Sequence, residues 1–373
     1  MVDGLFVIPG LIDMHLHTND LFEVSTKPIF EAVSHGVTLS LSPGAGNSLM
    51  APALLGAEID RGLPLNCGVY LGAPMVLGVR ATTEQLISFF KGELSREIQF
   101  QTISRNVLTN LTAPLAVGIK DHMGHFILSD EDIDRVYEIT SKAGMIFMSH
   151  TQDPIHSVRV ADLSKGRPLH LAHMTAAGAG THMDPVESMK IVVDLLKRPN
   201  ISGEFVTTML RYSQGSREGL LLPKKAQQIC YEALEKGLCK ILISDGQNDA
   251  TMKGFGDTRD NIPCICELVE MGVLTMSKAV ACMTSNVAEL LSKLHRNNWW
   301  VREVGHLGPG ARANITVFDK RNKSVRFTFV NGVIAGFESR AVRNASGAGG
   351  WVTRWGIINK TGVGDLAQFA YAE

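Results

Sequence analysis

Eight short apolar segments, spaced over the first two thirds of the chain, limit its fold more than any other feature. Most are dense in Val, Ile, Leu and Met and lack polar alternation, which is typical of parallel strands buried on both faces. The segments are Gly10–His15, Val37–Ser42, Leu65–Leu71, Leu115–Lys120, Met145–His150, Leu169–His173, Ile201–Val206 and Lys240–Asp245. We predict that each forms a strand of one parallel sheet.

Stretches with helical periodicity separate these segments. Ser129–Ala143 begins with Ser-Asp-Glu-Asp, which matches a capping box, and Gly144 follows as a helix stop. The other predicted helices are Glu84–Glu97, Asp184–Lys197 and Pro223–Lys236, followed after the eighth strand by Asp260–Met271 and Met276–Leu294. A strand–helix unit repeated eight times predicts an α/β protein of the (β/α)8 TIM-barrel type.

The composition changes beyond Trp299. Arg312–Asp319 and Ser324–Val330 alternate or are rich in β-branched residues, and Val330-Asn331-Gly332-Val333 is a strong signal for a type I′ hairpin. We predict a barrel over residues 8–298 and a small β-sandwich-like domain with a tail over residues 1–7 and 299–373. The Gly- and Ala-rich stretch after Ser339 carries no clear pattern.

Charge and composition exclude several classes of partner. The 373 residues are 45% hydrophobic, and 36 basic against 37 acidic residues leave a net charge of -1. No long-range field therefore favours nucleic acid or an acidic membrane. The six scattered cysteines form no CxxC pair and are interpreted as packing residues. With no signal peptide or membrane-spanning run, we expect a cytoplasmic protein.

Polar side chains that can bind a metal stand at the ends of the predicted strands. They are His15 and His17 after the first strand, Lys120 on the fourth, His150 on the fifth, His173 on the sixth and Asp245 on the eighth. Alone, each has an ordinary structural explanation: a strand-end His is usually hydrogen-bonded, and Asp before Gly usually forms a turn. Together they lie where barrel enzymes carry their catalytic groups, and a divalent metal would balance their cost inside an apolar barrel. The combination predicts a metal site.

The segment Pro9-Gly10-Leu11-Ile12-Asp13-Met14-His15-Leu16-His17 resembles the opening signature of the amidohydrolase superfamily. The order His-x-His, Lys, His, His, Asp is similar to that of its two-metal members, and the segments 281–290 and 305–319 resemble its closing motifs. The resemblance implies that His15, His17 and Asp245 bind the more buried of two divalent metals, with zinc as the default. It implies that His150 and His173 bind the second, and that Lys120, carboxylated by CO2, bridges the two. Some related enzymes have Glu at this position or work with one metal. An uncarboxylated Lys120 would contradict the two-metal assignment.

The mechanism implied by the resemblance is attack by a metal-activated hydroxide on a C–N amide bond. Asp245 would take the proton of the water as general base and return it to the departing nitrogen as general acid. The substrate would be an N-acyl amino acid, a small dipeptide or a cyclic amide.

Within the superfamily, Met50–Arg80 is similar to N-acyl-D-amino-acid deacylases. Their metal-binding Cys is absent, because Gly44-Ala45-Gly46-Asn47 stands in its place. Lys120 favours instead the carboxylated-lysine branch, which resembles isoaspartyl dipeptidase, hydantoinase and dihydroorotase. Candidate substrate-binding residues are Arg211, Tyr212, Arg80 and His122, with His125 and His182 as further candidates at the mouth. A solvated surface position explains Arg211 and Arg80 at least as well.

Other functions stay open. Deamination of a heterocycle would use the same barrel, although His150-Thr151-Gln152-Asp153 lacks the expected nearby glutamate. Lactone or phosphoester hydrolysis suits the same metal site, and a metal-free scaffold protein is a non-catalytic alternative. Only a short segment precedes the first strand, so either the small β domain is reduced or the chain starts late, and a reduced domain would expose strand edges that another subunit could cover. We therefore expect a homo-oligomer with a small-molecule substrate.

Overall fold

The computed structural model describes residues 4–20, 23–24, 26–44, 46–122, 126–212, 222–246, 254–344 and 346–358. Its strands, in chain order, are β1 (Phe6–Pro9), β2 (Leu11–Asp13), β3 (Asn19–Asp20), β4 (Glu23–Val24), β5 (Val37–Ser42), β6 (Asn66–Gly72), β7 (Gly118–Asp121), β8 (Ile146–His150), β9 (Leu169–Ala172), β10 (Ile201–Val206), β11 (Ile241–Ile243), β12 (Ile315–Asp319), β13 (Ser324–Val330), β14 (Val333–Phe337), β15 (Arg340–Ala341), β16 (Trp351–Thr353) and β17 (Gly356–Ile358).

The α-helices follow the same order. They are α1 (Thr26–Ser34), α2 (Ala51–Asp60), α3 (Ala73–Leu77), α4 (Thr83–Lys91), α5 (Arg96–Thr102), α6 (Val107–Thr112), α7 (Asp130–Ala143), α8 (Pro154–Leu163), α9 (Pro185–Leu195), α10 (Thr207–Leu210), α11 (Lys224–Glu235), α12 (Asn261–Glu270), α13 (Met276–Ala281), α14 (Ser285–His295) and α15 (Trp299–Glu303). Short 3-10 helices cover Ala113–Leu115, Met174–Ala179 and Thr258–Asp260. Among the described residues, no helix is long and apolar enough to cross a membrane.

Eight parallel strands form the barrel, in the order β2-β5-β6-β7-β8-β9-β10-β11. Each overlaps one of the eight predicted segments, so the predicted fold class is confirmed. Helices surround the strands, and all six cysteines are buried and free. The α7 helix begins as predicted, because the Ser129 hydroxyl accepts a hydrogen bond from the Asp132 amide at 3.1 Å and Gly144 ends it in the left-handed region.

The barrel closes between β11 and β2 through individual hydrogen bonds. The Asp245 amide donates to the His15 carbonyl at 3.0 Å, and the His17 amide donates to the Gly246 carbonyl at 3.0 Å. Lower in the barrel, the carbonyls of Cys282 and Met283 accept from the amides of Leu242 and Ile12 at 3.0 and 2.7 Å. The segment between α13 and α14 thus fills the gap between the first and last strands.

Two helix predictions are wrong in their extent. Met276–Leu294 is two helices, because the carbonyls of Cys282 and Met283 accept hydrogen bonds from barrel strands. Glu84–Glu97 is also two helices, because Gly92 ends α4 with a φ of 78° and Ser95 caps the start of α5.

A five-stranded antiparallel sheet, in the order β1-β12-β13-β14-β15, packs against the barrel. The predicted hairpin joins β13 to β14, and Asn331 and Gly332 adopt positive φ of 50° and 83°, as a type I′ turn requires. Inner-face hydroxyls of Thr316 and Thr328 donate to the carbonyls of Gly36 and Val33 at 2.6 and 2.8 Å.

The stretch after Ser339 that carried no pattern contains the hairpin of β16 and β17. Trp351 pairs with Cys67 of β6, and the Cys67 amide donates to the Gly350 carbonyl at 3.0 Å. The Trp351 side chain is buried. The hairpin therefore pairs with the first part of β6. The pairing between β6 and β7 begins only at Tyr70.

Candidate metal centre

The six predicted metal ligands meet at one rim of the barrel. Parallel strands end together, so His15 and His17 after β2, Lys120 in β7, His150 at the end of β8, His173 after β9 and Asp245 after β11 share this edge. All are buried except His150, which is partly exposed.

The distances place these side chains in one cluster. The Oδ1 atom of Asp245 lies 3.4 Å from His15 Nε2 and 3.3 Å from His17 Nε2. Lys120 Nζ is 3.1 Å from His15 Nε2. The rings of His15 and His173 are 4.9 Å apart, and those of His173 and His150 are 4.4 Å apart. Ligand atoms of His15, His17 and Asp245 all lie within 4.8 Å of one another.

The Asp245 carboxylate is held by one oxygen only. Its Oδ2 accepts a hydrogen bond from the Phe255 amide at 2.9 Å. Its Oδ1 is buried and makes no hydrogen bond to any residue that the structure describes, and the same holds for Nδ1 of His173. Buried polar atoms without partners are costly, and a bound cation would satisfy both.

Two residues of the cluster have left-handed backbones. His173 has a φ of 39° and Asp245 a φ of 49°. For residues other than Gly, this conformation costs about 1–3 kcal/mol and is concentrated at functional sites. The surrounding hydrogen bonds, including the Asp245 amide to the His15 carbonyl at 3.0 Å, hold it in place.

Burial and nearby charge favour the neutral form of the His15 and His173 imidazoles. Burial lowers the pKa of His15 and of His173 well below the usual value, and the positive charge of Lys120 and the neighbouring histidines add to the effect. Neutral imidazole is the form that binds a metal, so the donor set fits a divalent cation.

Three buried polar residues of the site were not among the predicted ones. Glu204 of β10 accepts a hydrogen bond from His15 Nδ1 at 2.5 Å, and Nε2 of His170 in β9 lies 2.9 Å from Glu204 Oε2. Asp13 accepts from the Ser244 amide at 3.2 Å, and burial raises the pKa of Asp13 to about 7. A charged residue inside an apolar strand, as in Ile-Ser-Gly-Glu-Phe-Val, was the signal that could have identified Glu204.

Arg211, a predicted substrate-binding residue, is paired with two carboxylates in this structure. Its Nε and Nη1 donate to Glu267 and Asp260 at 2.8 and 2.6 Å. These carboxylates already balance its charge and occupy the donors that would clamp a substrate carboxylate. Tyr212 is exposed, and Lys224 Nζ lies 4.0 Å from its ring centre.

The other candidates lie apart from one another. Arg80 borders a surface cleft with Phe100 and Arg105, and none of the described residues lining this cleft is a predicted metal ligand. His122 is buried, its Nε2 contacts the Gly44 carbonyl, and burial lowers its pKa. His182 is exposed, and His125 lies outside the described residues.

A TIM barrel with histidines, a lysine and an aspartate clustered at its mouth has the architecture of a metal-dependent barrel enzyme. The chain belongs to the amidohydrolase family, whose model matches residues 6–335. The predicted resemblance is confirmed.

Curated relatives and solved structures agree with this assignment. A dihydroorotase of Desulfotalea psychrophila is 22% identical over 364 residues, covering 85% of this chain and 79% of the relative. A dihydroorotase of Trichlorobacter lovleyi is 21% identical over 345 residues, covering 85% and 78%. The fold is similar to D-hydantoinase from Bacillus sp. AR9, with a TM-score of 0.67 and 17% identity over 94% of this chain and 90% of that chain. It is also similar to β-aspartyl dipeptidase from Fervidobacterium islandicum AW-1 in complex with a β-Asp-Leu dipeptide, with a TM-score of 0.60, 16% identity and coverage of 92% and 86%.

Proposed function

We propose that this chain hydrolyses a C–N amide bond, other than an ordinary peptide bond, in a small cyclic or acyl amide. One observation carries the proposal. The Asp245 Oδ1 atom, without a hydrogen bond among the described residues, lies 3.3–3.4 Å from the Nε2 atoms of His17 and His15. A carboxylate and neutral imidazoles converging at a barrel mouth are the donors of a hydrolytic metal centre.

The residues divide into two ligand groups. His15, His17 and Asp245 would hold one divalent cation, and His150 and His173 the other. Lys120, buried 3.1 Å from His15 Nε2, would bridge the two once CO2 has converted its neutral amine to an anionic carbamate and released a proton. Zinc is the proposed metal, because its usual ligands are imidazole and carboxylate.

Divalent cations bound here would supply Lewis acidity, which lowers the pKa of water and polarises a carbonyl. Asp245 would do the proton transfer. Its Oδ2 accepts a hydrogen bond from the Phe255 amide, which orients the carboxylate so that it can accept the proton of the attacking water and then donate it to the departing nitrogen.

The relatives and the site both bear on the substrate class. The relatives named dihydroorotase and D-hydantoinase match most of this chain, and they support a cyclic amide as the substrate. Because Arg211 is committed to Glu267 and Asp260, another group would have to recognise any substrate carboxylate. We propose that His122, which is buried beside the Gly44 carbonyl, contacts the substrate at the mouth of the barrel.

The first test is metal content per chain in the wild type, Lys120→Ala and a matched control, Lys278→Ala, on an outer helix. We expect about two metals in the wild type and the control, and fewer in Lys120→Ala. The same proteins would then be assayed with hydantoins, dihydropyrimidines and isoaspartyl dipeptides. About one metal in all three proteins would remove Lys120 from the site.

Asp245→Asn tests the chemistry. We expect hydrolysis to fall by about 10²–10⁴-fold, because the amide cannot accept the proton. Undiminished turnover in this variant would contradict the assigned proton path. Absence of metal from wild-type protein prepared without chelators and with bicarbonate would refute the hydrolase proposal.

A further inference from the structure

A line of buried polar side chains runs through the barrel interior below the histidine cluster. Ser202 Oγ lies 2.9 Å from His170 Nδ1, and His170 Nε2 lies 2.9 Å from Glu204 Oε2. The other oxygen of Glu204, Oε1, lies 2.5 Å from His15 Nδ1. Glu204 and His170 are fully buried. The line thus reaches the predicted metal ligand His15 from inside the barrel.

Strand register builds this line. His170 of β9 and Ser202 of β10 are direct partners in the parallel ladder. Glu204 stands two residues beyond Ser202, so both side chains point to the same face of the strand. Ser202 is partly exposed and lines a cleft with Pro199 and Lys240 at the ends of the strands opposite the mouth. The line therefore spans the barrel from one end toward the other.

Hydrogen-bond chemistry assigns the protons. An ionised carboxylate only accepts, and Glu204 accepts from His15 Nδ1, His170 Nε2 and the His173 amide, the last at 3.1 Å. His15 must then carry its proton on Nδ1, which leaves the lone pair of Nε2 facing Asp245 and Lys120. His170 in turn accepts on Nδ1 from the Ser202 hydroxyl, whose other contact, to the Leu169 carbonyl, is longer at 3.3 Å.

The balance of charge agrees with this assignment. A fully buried carboxylate is tolerated only when donors surround it, and Glu204 has three. Only the His15 imidazole separates the Glu204 carboxylate from the proposed cation site. A carboxylate behind a ligating histidine fixes the tautomer and makes the ring a stronger donor.

We propose that Glu204 and His170 are positioning residues of the metal centre. Glu204 holds His15 in the tautomer that presents Nε2, and His170 holds the Glu204 carboxylate in place. The inference rests on the proposed function in one respect only, that His15 binds a metal. It makes metal affinity depend on His170, which contacts the centre only through Glu204.

The test measures affinity for Co2+ and Zn2+ by chelator competition, together with the visible absorption spectrum of bound Co2+. In Glu204→Gln the amide can donate to His15 Nδ1, which favours the wrong tautomer. We expect this variant and His170→Leu to bind about 10–100-fold more weakly with an altered Co2+ spectrum. His170→Gln keeps a donor toward Glu204 and should recover most of the affinity.

His295→Gln is the control, because His295 is also buried but hydrogen-bonds to the Val117 carbonyl outside this line. It should bind metal as the wild type does. Wild-type affinity and spectrum in both Glu204→Gln and His170→Leu would overturn the inference while leaving the proposed function intact. A wild type that binds no metal would instead overturn both. If Glu204→Gln does not fold, the pair His170→Leu and His170→Gln tests the same line.

A second observation concerns the outer face of the five-stranded sheet. Two rows of apolar residues cross β1, β12, β13 and β14 in register. The first row is Val7, Val317, Phe327 and Phe337, and the second is Pro9, Ile315, Phe329 and Ile334. The Phe327 ring lies 5.3 Å from Phe337 and 6.1 Å from Phe329. The opposite face of this sheet is the one packed on the barrel.

This outer face is an apolar patch in the size range at which the largest patches of monomers are often functional. Val7 is 44%, Ile334 43% and Phe337 49% exposed. With the partly exposed members of both rows, the apolar area is on the order of 400 Å². A standard interface buries about 800 Å² per partner, of which somewhat more than half is apolar. The face therefore offers nearly the apolar area that such an interface uses.

We infer that a second copy of this chain covers this face, with the two sheets packed about 10 Å apart as a sandwich. An apolar face can pair with its own copy about a two-fold axis. Arg326 and Glu338, paired at its edge, provide both signs of charge for the contact. The net charge of -1 adds no long-range repulsion between copies.

Sedimentation velocity of the wild type, Phe337→Glu and Ile334→Lys tests this surface. We expect a dimer for the wild type and monomers for both variants with unchanged metal content. Phe100→Glu, on an exposed aromatic residue of α5, is the control and should remain a dimer. A monomeric wild type would overturn the inference. If Phe337→Glu then also melts at a lower temperature, the face is covered by another segment of the same chain.

Discussion

Lowering the pH from 7 to 5 should destabilise this protein, and a separable part of that loss should come from His295. It is the last residue of α14, and its Nε2 donates a hydrogen bond to the Val117 carbonyl at 2.8 Å. Burial lowers the pKa of His295 from 6.5 to about 4, and the positive charge of Arg354 adds to this effect. The folded protein therefore keeps this imidazole neutral at a pH where the unfolded chain protonates it.

The sign and size follow from proton linkage. The unfolded state binds more protons between pH 6.5 and 4, so the free energy of unfolding falls as the pH drops through that window. For one group with these two pKa values, the loss is about 2 kcal/mol at pH 5 and about 0.2 kcal/mol at pH 7. Below the folded pKa no further loss comes from this residue.

The assay is urea unfolding followed by tryptophan fluorescence at both pH values, for the wild type and His295→Gln. Glutamine keeps a donor for the Val117 carbonyl but does not titrate. We expect the wild type to lose about 2 kcal/mol more than the variant between pH 7 and 5. Comparing the two proteins cancels the effect of acid on the metal site. Equal losses in the two proteins would refute the reasoning.

Three further changes test the packing. Arg211→Met, which removes the cation that balances Glu267 and Asp260, should lower the unfolding free energy by about 3–5 kcal/mol while kcat/KM of the folded enzyme stays unchanged; a selective loss of kcat/KM would instead support the predicted substrate clamp. Trp351→Ala should cost about 3–5 kcal/mol in the same urea assay, and unchanged stability would mean that the hairpin does not complete the barrel. Gly118→Ala would bring a Cβ within 2.4 Å of the Ile146 carbonyl oxygen and 2.8 Å of Tyr70; we expect a loss of about 1–3 kcal/mol, and a thermal melting temperature equal to that of the wild type would contradict it.

The barrel strands and most of the candidate site could be predicted because their signals are local. Each strand is a short apolar run, and each predicted ligand stands at or just beyond its end, as His150 does in β8. In a parallel barrel all strand ends share one rim. Local pattern and position along the chain were therefore enough to bring distant residues together.

The helix boundaries near the barrel seam could not be predicted in this way. Met276–Leu294 has helical periodicity, yet the carbonyls of Cys282 and Met283 leave the helix to bind Leu242 and Ile12. The competing hydrogen bonds come from strands far away in sequence. The hairpin at Trp351 escaped prediction for the same reason, since β6 supplies its pairing partner.

The sequence by itself determined the alternation of strands and helices and which side chains reach the mouth of the barrel, because both depend on short-range periodicity and on strand ends. Only the tertiary structure decided how those side chains are held. Glu204 lies beneath His15 because only β11 separates β10 from β2 around the barrel and both side chains reach the interior, and Arg211 turns to Glu267 because α12 packs beside it. Hydrogen bonds between residues 56 or 189 positions apart leave no periodic trace in the chain, so folding alone determines them.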